Sequence, residues 1–234
     1  FHEHYSNSLQ HEKDTLHFSG GEAIELKNPF SLDMAFIRNS IIPGLLMAAS
    51  YNEKRQEKGF KLFEIGAIHN QSKKHATGSK EKFHLGLLWY GEPQPHWRNY
   101  EDRDLFRCKG EIVQQLESVG LSNISYKVGT EKGFETSLKI YSGKTQIGKF
   151  GTPDSKVLKQ YDLKIKPTVC DLSLQNLREL WQNRKMAYKP PTAFPSMSRD
   201  IALQVSRDLP AEDLLKTIQK EGGHILKNIS LFDV

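Results

Sequence analysis

Ile41, Ile42, Leu45, Leu46 and Ala49 recur at spacings of three and four, which places them on one face of a helix. The Asn28-Pro29 step marks a turn ahead of it, because a residue before proline is pushed out of the helical region. Ser40 is a suitable N-cap, and Pro43 falls in the first turn, where its missing amide hydrogen costs nothing. These signals predict a helix over 41–58, stopped by Gly59. Residues 60–69 (FKLFEIGAIH) then alternate as a half-buried strand does, with Gly66 as a bulge or a point of close approach. A polar loop over 70–82 leads to a second strand, 83–90 (FHLGLLWY), and the two form an antiparallel hairpin.

The flanking segments follow the same logic. Residues 1–10 and 22–26 read as strands. The stretch 92–103 reads as a surface loop anchored by Trp97. Asp104 caps a helix whose inner face carries Leu105, Phe106, Ile112, Val113, Leu116 and Val119, ended by Gly120. Strands are expected near 124–128, 136–141 and 146–150, with Ser142-Gly143 as the last turn. A short helix over 153–161, a strand over 168–172 and a helix over 174–181 complete this part. The proline-rich stretch 186–195 (MAYKPPTAFP) reads as a linker. Beyond it, a strand over 199–206, a helix over 210–221 and a strand over 225–234 make half of a ferredoxin-like unit.

Composition narrows the class. A chain of 234 residues with 37% hydrophobic residues can bury a sizeable core, and 26% charged residues with 10% aromatics is not a disordered profile. No run approaches the roughly 18 apolar residues of a membrane span. Residues 1–10 carry neither an initiator Met nor a targeting pattern, so the start reads as a cut inside a longer chain. Cys108 and Cys170 stand alone, which predicts reduced thiols in a cytoplasm, and the nine histidines lack metal-ligand spacing. The His2/His4 pair reads as a solvated terminus. The net charge of +5 permits contact with RNA. All of that excess lies in the first 190 residues, because 191–234 hold five basic and six acidic side chains.

The run LKNPFSLDMAFIRNSIIPGLL at 26–46, followed by Asn52 and by LFEIG at 62–66, resembles the catalytic-like module of bacterial phenylalanyl-tRNA synthetase beta subunits. LFRCKGEIVQQLESVGL at 105–121 is similar to that family's lysine-glycine helix. FPSMSRDIALQV at 194–205, with a later SLFDV, is similar to its ferredoxin-fold anticodon-binding domain. Four motifs in the family's order cover essentially the whole chain.

The resemblance implies an α+β fold, an antiparallel sheet flanked by helices as in class II aminoacyl-tRNA synthetases. It implies a non-catalytic module over 1–188, and a truncated ferredoxin-like β-α-β unit over 189–234. A working class II site needs an arginine-bearing loop to grip ATP and a second arginine to clamp its γ-phosphate. Here the strand reads FEIG, with Glu64 where the arginine would be sought, and no Gly-rich helix opens with an arginine. The resemblance therefore implies that ATP and magnesium act in the alpha subunit, with no cofactor in this chain. It also implies an α2β2 assembly on tRNA(Phe), and neither membrane nor DNA.

Several residues take candidate roles, the interface set from the same resemblance, and the lysine loop and Glu64 from their own chemistry. Arg38, Asn39, Ile42, Pro43, Leu46 and Asn52 would pack against the alpha subunit, with the oily side of the 41–58 helix as the handle. Lys73, Lys74 and Lys80, beside His75 and Lys82, would meet an RNA backbone. Glu64 would make a structural hydrogen bond. Gly110 costs a helix interior about 1 kcal/mol against Ala, which points to close packing. Arg199 and Asp200 would orient a strand through a salt bridge. The region 132–154 departs from the family's pattern, with Thr152-Pro153 in place of His-Pro, so no role is carried over to it. The rival readings are a free-standing RNA-binding or regulatory paralogue and, less well supported, a single-chain synthetase.

Overall fold

The computed structural model describes residues 1–18, 21–91, 105–183, 195–206 and 208–231. The Trp97 loop, Asp104 and all of the 186–195 stretch except Pro195 lie outside the described residues. The chain divides into two compact units, Phe1–Met186 and Ala187–Val234.

The first unit runs through β1 (His2–Glu3), β2 (Leu9–Gln10), a 3-10 turn (Glu12–Thr15), β3 (Ile24–Glu25), a second 3-10 turn (Leu32–Met34) and β4 (Phe36–Ile37). It continues through α1 (Ile42–Glu53), β5 (Gly59–Gln71), β6 (Ser79–Gly91), α2 (Leu105–Ser118), β7 (Ile124–Gly129), β8 (Phe134–Ser142), β9 (Thr145–Pro153), α3 (Ser155–Gln160), β10 (Thr168–Ser173) and α4 (Leu174–Gln182). A seven-stranded sheet has the order β1-β5-β6-β10-β9-β8-β7, and a three-stranded sheet has the order β2-β4-β3. Only the β1–β5 pairing in the large sheet is parallel.

The β5–β6 hairpin is the spine of the fold. Its register is unbroken from Gly59 opposite Gly91 to Gln71 opposite Ser79, so alternate side chains go cleanly to opposite faces. Leu62, Leu88, Tyr90 and Val169 meet α1 on one face, joined by Phe18, Val157, Tyr161 and Leu163. Leu87, Trp89, Cys170 and Leu172 meet Cys108, Ile112 and Leu116 of α2 on the other. Two hydrophobic layers thus sandwich the sheet, the α+β arrangement expected.

Four local expectations are corrected. The predicted first strand is broken in two. Its beginning pairs with β5 and its end with β4, and the chain changes sheet near Ser6, whose side chain is held by Glu64. Helix α1 starts one residue late, with Ser40 Oγ accepting from the Ile42 amide at 3.3 Å, and stops at Glu53. The backbone then turns through Gln56 at φ 65°. In α2, Phe106 and Val119 are exposed rather than inward. That helix does end as predicted: Gly120 sits at φ 81°, its amide bonds Glu117 O at 2.8 Å, and the Leu121 amide bonds Leu116 O at 3.0 Å.

The second unit holds α5 (Ala211–Gly222), one residue displaced from its prediction. The strands expected on either side of it do not form among the described residues. In a split β-α-β arrangement the two strands are not neighbours, and each needs a strand from another segment to pair with. Ile201, Leu203 and Val205, which alternate as a strand's inner face would, remain exposed.

Candidate functional site

Arg38 follows β4 and projects over the middle of β5. Its Nη1 donates to Glu64 Oε1 at 2.6 Å and to Ser6 Oγ at 3.0 Å, and its Nε donates to Ala67 O at 2.7 Å. Ser6 Oγ in turn lies 2.9 and 2.8 Å from the two Glu64 carboxylate oxygens. The two charged side chains are only 5% and 2% exposed. Gly66 makes this possible, since a Cβ there would stand 1.9 Å from Arg38 Nη2. The arginine and the carboxylate that the sequence singled out separately are one closed ion pair, 26 residues apart in the chain.

Beside this pair the sheet carries a rank of polar side chains. Glu64, Gly86, Asp171, Lys149, Lys139 and Lys127 stand level on neighbouring strands from β5 to β7. At Gly86 the rank is filled by Ile41 and Leu45, each 2.8 Å from where a Cβ would lie. His84 Nδ1 meets Asp171 Oδ1 at 2.5 Å, and His84 Nε2 is buried with no partner. Lys139 and Lys149 flank Glu131 at 3.1 and 3.8 Å, and Lys149 also donates to Phe18 O at 2.7 Å. Glu64, Lys139 and Lys149 on this face each meet an opposite charge within the chain, Asp171 is bonded to His84, and Lys127 lies over the Tyr141 ring at 5.0 Å. Sequence reasoning missed the His84–Asp171 contact because only the β6–β10 register brings the two residues together.

The residues expected at a subunit interface fall into two groups. Ile42, Pro43 and Leu46 are buried within the chain itself, as are Arg38 and Asn39. The oily side of α1 is therefore not free for another subunit: it is buried in one cluster with Leu62, Leu88, Tyr90 and Val169 of the sheet and with Phe18, Val157, Tyr161 and Leu163. Asn39 donates to Thr15 O at 3.1 Å, and Asn52, half-buried, donates to Ala48 O at 2.8 Å. What α1 leaves exposed is Met47 and Tyr51.

Lys73, Lys74 and Lys80 are exposed at the tip of the β5–β6 hairpin, with His75 between them. Gly110 is a correction: it is exposed, and a Cβ there would meet nothing within 4 Å. The inner face of α2 is set by Cys108, Ile112 and Leu116, and Gly110 lies across the helix from it. Arg199 and Asp200 are exposed on a segment without strand pairing, where Arg199 Nη1 donates to Ser198 O at 3.1 Å instead of orienting a strand.

One feature of α1 carries no sequence signal. The Glu53 carboxylate accepts from the Tyr90 hydroxyl, from the Lys164 amide at 3.0 and 3.1 Å and from the Ile165 amide at 3.0 Å. Burial alone would raise its pKa, but these donors outweigh it and hold the carboxyl below its ordinary value.

The family described as phenylalanyl tRNA synthetase beta chain CLM domain matches residues 1–174. This chain belongs to that family. The ferredoxin-fold anticodon binding domain matches residues 192–234. Among curated relatives of the synthetase beta-chain family, the phenylalanine–tRNA ligase beta subunit of Carboxydothermus hydrogenoformans is 31% identical over 217 residues, 91% of this chain and 27% of the relative. That of Staphylococcus aureus (strain MSSA476) is 32% identical over 232 residues, 97% of this chain and 29% of the relative. The chain thus spans under a third of the length of these relatives. Among solved structures, a pyrrolysyl tRNA synthetase of Desulfitobacterium hafniense, PylSc, aligns with TM-score 0.61 at 14% identity, covering 78% of this chain and 61% of that one. A second structure of pyrrolysyl-tRNA synthetase from the same organism gives 0.59 at 16%, covering 80% and 68%. At such identities the likeness is one of fold alone.

Proposed function

We propose that this chain is a non-catalytic, scaffolding and tRNA-binding part of a cytoplasmic phenylalanine–tRNA ligase beta subunit. Residues 1–188 act as the class II-like module and 189–234 as anticodon-binding domain. Chemistry, the ATP-dependent attachment of phenylalanine to tRNA(Phe), belongs to an alpha subunit that carries ATP and magnesium in an α2β2 assembly. One observation carries this reading. Arg38, set over the central hairpin of a class II-type sheet, is neutralised by Glu64 and walled in by Ser6 and Gly66. A phosphate-gripping arginine must keep its charge and its donors free for the ligand, whereas this one has its charge met by Glu64 and its Nε and Nη1 already bonded. No helix among the described residues is long and apolar enough to cross a membrane.

The test is phenylalanine-dependent ATP–pyrophosphate exchange, measured on the chain alone and after addition of an alpha subunit. No exchange by the chain alone, with co-purification of the two subunits, is the expected result. Exchange by the chain alone would overturn the assignment. The outward-facing Met47, rather than the buried Ile42 and Leu46, is what this part of α1 offers to an alpha subunit.

A further inference from the structure

The surplus of positive charge is concentrated. Residues 51–58 and 156–166 together hold seven Lys or Arg against three Asp or Glu, in a chain whose whole net charge is +5. The fold brings these two stretches side by side. Glu53, at the end of α1, accepts from the Lys164 and Ile165 amides, and Lys54 Nζ meets Asp162 Oδ2 at 3.0 Å. Of the three acids, Glu53 is turned inward onto those amides, Asp162 is paired with Lys54 and Glu57 is exposed, which leaves the cations in excess. Lys166 is paired with Glu135. Lys54, Arg55, Lys58 and Lys164 all stand on the surface.

An aromatic lies within this charge. Tyr51 is 57% exposed, and the Arg55 guanidinium stacks over its ring at 3.3 Å from the centroid, with Nη1 donating to Tyr51 O at 3.1 Å. Ile165, whose amide bonds Glu53, is 44% exposed. Exposed ring, stacked guanidinium and surrounding lysines are what a flexible polyanion with planar bases requires: phosphates for the cations, a base for the ring.

We propose that the end of α1 and the 156–166 segment form a second RNA-contact surface, separate from the lysines at the hairpin tip, on which Tyr51 stacks a base and Arg55 and Lys164 meet phosphates. The proposal rests on the tRNA-binding reading above and names residues for it. Glu53 is its positioning residue, fixing the loop that presents Lys164.

The experiment is fluorescence anisotropy of a labelled unmodified tRNA transcript with the whole 234-residue chain, over a KCl series. Lys164→Ala and Arg55→Ala should each reduce the slope of log K against log salt by roughly one. Tyr51→Ala should weaken binding by roughly tenfold with the slope unchanged, because stacking releases no counterions. All three positions are exposed, and thermal melts check that the variants fold. A triple Lys73→Ala/Lys74→Ala/Lys80→Ala variant separates the alternatives. If it abolishes binding while the α1 variants behave as wild type, this surface is refuted and the tRNA-binding reading stands. If the α1 variants keep wild-type RNA affinity but lose alpha-subunit co-purification, the surface is a protein interface and the proposal falls. If the wild-type chain binds no transcript, both readings fall.

Discussion

Removing either half of the Arg38–Glu64 pair leaves the other charged and dry. Breaking a buried ion pair costs about 3–5 kcal/mol, whereas replacing both members by apolar groups of similar volume is often neutral. Arg38→Met should therefore lower unfolding free energy by roughly that amount, read as a shift in urea midpoint at constant slope. Arg38→Met/Glu64→Leu should recover most of the loss, and a double variant no better than the single one would contradict the account. Gly110 works in the opposite direction. With open space around it in a helix interior, Gly110→Ala should stabilise the chain by about 1 kcal/mol, where the close packing read from sequence demands a loss. Sequence flagged each of these residues but could not rank them. Arg38 finds Glu64 only through the backbone path that lays the end of β4 across β5. The exposure of Gly110 depends on which side of α2 meets the sheet, and Phe106 and Val119 blurred that side by suggesting too wide an apolar face.

At the scale of elements, short-range signals were read well because they are local. The hairpin came from period-two alternation, the end of α2 from Gly120, and the β8–β9 turn from Ser142-Gly143. The C-terminus of α1 was missed because what stops it is tertiary: Glu53 is drawn onto Tyr90 and the 164–165 amides. This tie has a pH signature. The folded-state pKa of Glu53 is depressed, so its stabilisation is fully present above the ordinary carboxylate pKa of about 4.3 and disappears as pH falls through the lower folded value. Glu53→Gln should flatten the acid limb of stability against pH. Tyr161 gives the mirror case. Burial, then the Asp14 carboxylate that accepts its hydroxyl at 2.8 Å, raise its pKa. That stabilisation holds below the ordinary tyrosine value of about 10 and is lost as pH rises toward the folded one. Tyr161→Phe should blunt the alkaline limb, and limbs unchanged in both variants would show that neither contact links proton binding to folding.

For the whole molecule, the two units differ in what holds them. Phe1–Met186 has two hydrophobic layers on a seven-stranded sheet, and its class was implied by the family resemblance, with which the order of hairpin, strands and helices agrees. The unit Ala187–Val234 was half legible: its helix formed where the pattern put it, whereas strand pairing depends on partners that local alternation cannot supply. None of its described residues is buried, and α5 is a 12-residue helix without a side-chain cap. Glu212 and Asp213 in the first turn, Lys220 in the last and the Glu212–Lys216 ion pair at 2.7 Å favour it by tenths of a kcal/mol each. A helix of about that length is marginal in water without a packed face. Amide hydrogens of α5 should therefore exchange orders of magnitude faster than those of β5 and β6, whose opening requires disruption of both layers. Adding denaturant below the main transition should leave β5–β6 protection intact while α5 already exchanges at nearly the unfolded rate. Protection of α5 equal to that of the hairpin would mean that its apolar face is covered in solution, and that Ile201, Leu203 and Val205 have found strand partners.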